Sequence, residues 1–211
     1  VWFGGDQLAP ERRTHSTAAC QIAHGVSAAL ITCHVLFHLT NICLGWLEIH
    51  AEIMKTGRAV YRAPLIEPVL VLLLLFQAAS GVRLAWLWSS LRTDVYRIFQ
   101  IGSGAYLAAF LLAHLNSGLI AARIVYKIES DWAWASGAPD GLIQGAWNIR
   151  LLPHYALGVF FILGHLASGL RGVMIAHSVK VSIANRAWSA GLTAAALIST
   201  AIICGLCGAR I

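Results

Sequence analysis

Ala113-His114-Leu115-Asn116-Ser117-Gly118-Leu119 lies in the middle of a long apolar run and decides how the chain is read. The pattern returns as Gly164-His165-Leu166-Ala167-Ser168-Gly169-Leu170 and, with one change, as Phe76-Gln77-Ala78-Ala79-Ser80-Gly81-Val82. In each, a His or Gln is followed by Ser three residues on and Gly four residues on. On a helix these positions share one face. The Ser can return a hydrogen bond to its own backbone, and the Gly leaves a flat gap one turn from the imidazole. A fourth apolar run carries Phe37-His38-Leu39-Thr40-Asn41, with the His but no following Gly. Glycines of this kind have two readings. One is close helix–helix packing, which favours small residues in membranes. The other is room for a planar group held by the His, since ionisable residues in mid-membrane are costly and mark function.

The 211 residues are 58% apolar and 11% charged, with a mean hydropathy of +0.71. Runs of about 20 apolar residues are needed for each membrane crossing. Five are present, at roughly 25–47, 67–89, 101–124, 153–175 and 187–208. The expected fold is therefore all-α, a single integral membrane five-helix transmembrane bundle, with little chain left for a soluble domain. Chemistry must then sit within the bilayer or belong to partner subunits. A net charge of +6 suits contact with anionic lipid heads and gives no reason to invoke nucleic acid. The pair Cys204 and Cys207 has CxxC spacing but no neighbouring His or second pair, so no metal or redox role is assigned to it.

Residues 1–23 read as a polar lead lying along the membrane surface, with no secretory-signal pattern. Residues 48–66 form an amphipathic connection. The Trp-rich segment 125–152 is expected to cap a membrane face. The fifth run has no His and many small residues, as a packing helix would. Basic residues divide almost evenly between the two faces; the shorter loops on the N-terminal side hold the excess over acids, which favours N-terminus inside.

Depth sorts the polar residues into pairs. His38 and His114 each lie about 13 residues into parallel spans, so roughly 20 Å from the N-terminal face at 1.5 Å per residue. Gln77 and His165, on the antiparallel spans, lie roughly 15–18 Å from that face. His34 shares a face with His38 and is the fallback should His38 point away. Paired neutral imidazoles are the usual way to hold b-type haem for electron transfer. His38 and His114 are thus expected as axial ligands of one haem b, and His165 with Gln77 as a second site. Arg83 and Arg171 each follow by six residues, towards the same face. They read either as propionate partners or as snorkelling interfacial arginines.

In these stretches the chain resembles the single-polypeptide, five-helix cytochrome b anchors of succinate dehydrogenases and fumarate reductases. The likeness is carried by Phe37-His38-Leu39-Thr40-Asn41, by Ala113-His114-Leu115 running on to Ala122-Arg123, and by Gly164-His165-Leu166-Ala167-Ser168-Gly169-Leu170, with His24 preceding His38 by 14 residues. It spans about residues 20 to 208. It implies four axial histidines on the first four helices and two stacked b haems. It also implies flavoprotein and iron–sulfur partner subunits, a membrane quinone as diffusible substrate, and a bacterial cytoplasmic or mitochondrial inner membrane. Similar bundles are fused to bacterial nucleotide cyclases as membrane domains. Gln77 departs from the family at the second-helix ligand position. By the resemblance, the affected haem is the one nearer the catalytic subunits. That haem is then absent, five-coordinate on His165, or completed by a neighbour of Gln77.

The expected function is electron transfer between a peripheral redox partner and quinone, with no substrate chemistry of the chain's own beyond quinone. The alternatives are a membrane sensor or regulatory module, or a structural anchor that has lost part of the haem wire. His24, His50 and His154 are candidates for proton exchange with quinone; each taken singly also reads as an ordinary interfacial His.

Overall fold

The computed structural model describes residues 8–43, 50–88 and 94–208, and every described element is helical. Five helices are long and apolar enough to cross a membrane, over Thr17–Cys43, Ile66–Leu87, Val95–Val125, Leu151–Ala176 and Val181–Leu206. They belong to α1 (Leu8–Cys43), α3 (Ile66–Trp88), α4 (Val95–Leu115) with a π-helical continuation (Asn116–Val125), α6 (Leu151–Ala176) and α7 (Val181–Leu206). Two shorter helices, α2 (His50–Tyr61) and α5 (Trp132–Ala135), lie in the connections. Large aliphatic side chains point outward, Leu72, Leu170 and Leu197 among them at 65%, 56% and 67% exposure. In water such a surface would drive association; against lipid tails it is the natural exterior.

The helices begin earlier than hydropathy suggests. Residues 8–23 are not a surface lead but the first turns of α1. Pro10 falls in the first turn, where its missing N–H costs nothing, and no breaker follows. The third and fifth spans likewise start at Val95 and Val181, ahead of Arg97 and Arg186. A hydropathy window stops at the first charge, whereas a helix carries charged residues into the interface. Asp94 fixes the start of α4 by accepting from the Arg97 backbone N–H at 2.9 Å.

These starts deepen the interior. His24 and His38 are 14 residues apart on α1, and His154 and His165 are 11 apart on α6. At 1.5 Å per residue the two levels are separated by roughly 16–21 Å, far more than the small difference expected from the sequence.

Packing runs α1–α3–α4–α6, with α7 lying outside on α6 and touching α1. Ala184 and Ala195 of α7 are fully buried, and a Cβ on Gly191 would stand 2.7 Å from that of Ala167. Small residues let these two backbones close up without any water-driven force. Ser199 Oγ donates to the Ala156 carbonyl at 2.8 Å, and Trp188 Nε1 to Ser168 Oγ at 2.9 Å.

The Trp-rich segment does close one end of the bundle. Leu142 is 1% exposed, in a cluster with Leu39, Val159, Ile202 and Leu206, against which Trp132 packs. Asn148 Nδ2 donates to the carbonyls of Gly137 and Gly141 at 2.9 and 3.2 Å. Gly137 has φ of +74°, and a Cβ there would lie 2.7 Å from Asn148 Nδ2, so both conformation and space require glycine. On the same face Arg58 and Arg62 of α2 reach Glu129 at 2.7 and 2.8 Å, and Arg123 pairs with Glu67.

Candidate functional site

Two levels of histidine occupy the interior, one towards each membrane face. At the level away from the N-terminus, His38 of α1 and His114 of α4 have ring centroids 6.0 Å apart with planes at 73°. Phe110 stacks on His114 at 5.6 Å and touches His154 of α6 at 4.7 Å. His114 thus stands between α1 and α6. Its side chain is exposed by area. His34 stacks on His38 at 6.3 Å and meets Tyr61 of α2 edge-on at 5.7 Å. His38, rather than His34, is therefore the residue turned towards His114.

The level nearer the N-terminus is built by two serine–glycine pairs. Ser80 Oγ of α3 lies 2.7 Å from His24 Nδ1 of α1, and Ser103 Oγ of α4 lies 2.9 Å from His165 Nδ1 of α6. The glycine after each serine makes room for the ring it holds. A Cβ on Gly81 would be 3.6 Å from His24 Cε1, and one on Gly104 would be 3.1 Å from His165 Cε1. Gln77 Nε2 donates to the His24 carbonyl at 2.8 Å and to Ser27 Oγ at 2.6 Å, which ties α3 to α1. His24, Gln77, Gly81, Gly104 and His165 line one cavity of about 80 Å³, closed by Ile31, Leu107, Ala108 and other apolar side chains.

The remaining candidates lie at the edges. Arg83 is exposed at the N-terminal end of the bundle. Arg171 donates Nε–H to Asn185 Oδ1 at 2.8 Å and lies 3.7 Å over the Tyr96 ring, so two neighbours already engage it. His154 adjoins Phe110 and Tyr155. His50 opens α2, but its side chain lies outside the described residues. The sequence reading passed over Ser103-Gly104, although Gln100 precedes that pair at the repeat spacing and Gln100-Ile101-Gly102-Ser103-Gly104 is a further copy of the pattern. It also passed over a groove of about 650 Å³ between α1, α2 and α3, where His34, Glu52, Thr56 and Tyr61 stand among apolar side chains. That size suits a drug-sized ligand.

Whether haem suits these residues can be judged from spacing and space. An imidazole nitrogen binds a first-row metal at about 2.0–2.1 Å, and the ring centre lies about 1.1 Å further on, so two rings trans on one iron stand roughly 6.3 Å apart. The 6.0 Å between His38 and His114 is compatible with this, as is the 6.3 Å between His34 and His38; what sets the first pair apart is that its two rings come from different helices. A Cβ on Gly118 or Gly169 would meet nothing within 4 Å, whereas Gly164 is pressed by Phe99 and Leu192 at 2.8 and 3.0 Å. Gly164 is a packing glycine; Gly118 and Gly169, each four residues after a His, border open space. A tetrapyrrole supplies four of six iron ligands, so two imidazoles complete it. The absence of any cluster of three or more His, Cys, Asp or Glu among the described residues bears on free metal ions only. The donor set fits haem.

The described residues form an all-helical bundle with five helices long and apolar enough to cross a membrane, and with histidines of different helices brought together at two levels. Comparison with protein-family models, with curated proteins and with solved structures finds no match for the chain.

Proposed function

We propose that this chain is a haem b-binding membrane anchor that passes electrons between a peripheral redox partner and membrane quinone, as in succinate dehydrogenases and fumarate reductases. The observation that carries the reading is the meeting of His38 and His114, from two different helices, at 6.0 Å between ring centroids. Haem held there supplies a reversible one-electron couple. The protein's part is to hold and shield it. His38 and His114 present neutral imidazoles; Leu39 and Val159 close that end of the bundle; Gly118 leaves a face free.

Quinone needs an entrance from lipid and groups that exchange protons. The groove beside α2 offers both. Its walls are mostly apolar, His34 and Glu52 supply titratable groups, and His34 stacks directly on His38. The flavoprotein and iron–sulfur partners implied by the resemblance would dock on the opposite, N-terminal face, nearer His165. The membrane is a bacterial cytoplasmic or mitochondrial inner membrane.

The test is to mix the purified, air-oxidised protein with a short-chain quinol and follow the haem absorbance. Reduction that is slowed at least tenfold in Glu52→Gln, with haem content unchanged, supports the reading. A protein that carries haem yet is not reduced by any quinol overturns the quinone role.

A further inference from the structure

We propose that Arg171 of α6, held by Tyr96 of α4 and Asn185 of α7, is a binding site for the phosphate of an anionic phospholipid at the N-terminal membrane face. The inference rests on the membrane-spanning bundle alone and is independent of the haem reading.

Depth is the first argument. α6 has 26 residues, Leu151–Ala176, so it is about 39 Å long against a hydrocarbon core of about 30 Å. About three residues at each end therefore stand beyond the core. Arg171 comes five residues before the end of α6, close to that boundary. Its guanidinium lies 3.7 Å over the ring of Tyr96, in the first turn of α4. This is the level of the lipid headgroups.

The second argument is that the guanidinium is fixed. A snorkelling arginine carries a loose head. Here Nε donates to Asn185 Oδ1 at 2.8 Å while the Tyr96 ring supports the plane. The support is itself anchored, since Trp188 meets Tyr96 edge-on at 4.8 Å and donates Nε1–H to Ser168 Oγ at 2.9 Å. A guanidinium has five N–H donors. Among the described residues only Nε–H of Arg171 has an acceptor, which leaves the donors of Nη1 and Nη2 without one. They form a planar fork that matches two oxygens of a phosphate. Because Asn185 and Tyr96 have already ordered the side chain, an anion binds there at little further entropic cost.

The surroundings select the anion. Protein carboxylates pair with arginine at the opposite face, Glu129 with Arg58 and Arg62 and Glu67 with Arg123; Arg171 has no such partner among the described residues. Arg97, Lys180 and Arg186 add positive charge at its own end. A haem propionate is the other anion to weigh. Six residues along a helix place Arg171 about 120° around α6 from His165. His165 turns to Ser103 of α4 and to the cavity shared with α1 and α3, whereas Arg171 turns to Asn185 of α7. On α6 and α7 near this end, Leu170, Val173, Val181 and Ile183 are exposed. They give acyl chains an apolar wall, which a free phosphate would not use.

The experiment is native mass spectrometry of the full chain, delipidated in mild detergent and then given dioleoyl phosphatidylglycerol, diacylglycerol with the same chains, or inorganic phosphate. Wild type should retain phosphatidylglycerol more tightly than diacylglycerol, and inorganic phosphate should not displace it. Arg171→Gln should weaken retention by about tenfold or more, the equivalent of one charge-assisted hydrogen bond. Asn185→Ala keeps the charge but frees the head, and should weaken retention by about two- to tenfold. Arg150→Gln removes an arginine stacked on Trp147 at the opposite face and should bind as wild type does. Equal retention of the two lipids by wild type overturns the proposal, even if a variant fails to fold. Unchanged retention in Arg171→Gln or Asn185→Ala also overturns it, as does an equal loss in Arg150→Gln. Displacement by inorganic phosphate overturns the lipid as the source. Loss of haem with unchanged lipid retention in Arg171→Gln would assign the arginine to a propionate instead. None of these outcomes bears on haem held by His38 and His114.

Discussion

Gly169→Ala distinguishes a cradle from a packing contact. Glycine inside a helix costs roughly 0.5–1 kcal/mol relative to alanine. At Gly169 a Cβ would meet nothing within 4 Å, so no clash offsets that gain. The haem-free protein should therefore be stabilised by about 0.5–1 kcal/mol. Gly191→Ala is the control. Its Cβ would come within 2.7 Å of Ala167 Cβ, and α6 and α7 must separate to admit it. Overpacking of this kind costs roughly 1–3 kcal/mol, so the net change should be destabilising. Thermal unfolding in detergent, followed by circular dichroism, reads both signs. A larger residue extends the test: Gly169→Phe should leave the haem-free fold intact but lower haem content at His165, because the ring fills the space the cofactor requires. Destabilisation by Gly169→Ala equal to that of Gly191→Ala would mean that the glycine serves packing, and the cradle argument would fall.

Two further outcomes follow from the connections. Leu142→Ala removes a side chain that is 1% exposed and should destabilise the bundle by about 2–5 kcal/mol, measured by the same unfolding assay; a change under about 0.5 kcal/mol would show that the 125–150 cap is not part of the core. Hydrogen bonds from Arg62 and then Arg58 hold the Glu129 carboxyl below its ordinary value near 4.5. A carboxyl with a lowered folded pKa adds stability above its unfolded value and loses it as pH falls through the lowered one. The stability lost below about pH 4.5 should therefore be smaller in Glu129→Gln, by no more than roughly 0.2–1 kcal/mol because the pair is exposed.

Length and hydropathy were enough to read five spans, since a backbone in lipid must satisfy itself as helix. The cap was legible from its Trp and Gly content. Helix starts were not legible, because Arg97 and Arg186 end a hydropathy window without ending a helix. That error compressed the two histidine levels into nearly one depth. The repeat located His114, His165 and Ser80-Gly81 but misdirected the serine, which serves an imidazole on another helix as well as its own backbone. A pattern internal to one helix carries no information about which neighbour faces it, so His24 read as an interfacial residue. The π-helical turns from Asn116 have no signal in the sequence that we can identify; such turns recur at functional sites, and these begin two residues after His114.

The central claim is that His38 and His114 together hold a haem. Its most direct test is the reduced-minus-oxidised absorption spectrum, with haem per chain by the pyridine haemochrome assay, in wild type, His38→Ala and His114→Ala. The account predicts a low-spin b-type spectrum in wild type and loss of the same haem in either variant, with the polypeptide still inserted and helical by circular dichroism. An unchanged spectrum and unchanged haem content in both variants would contradict it.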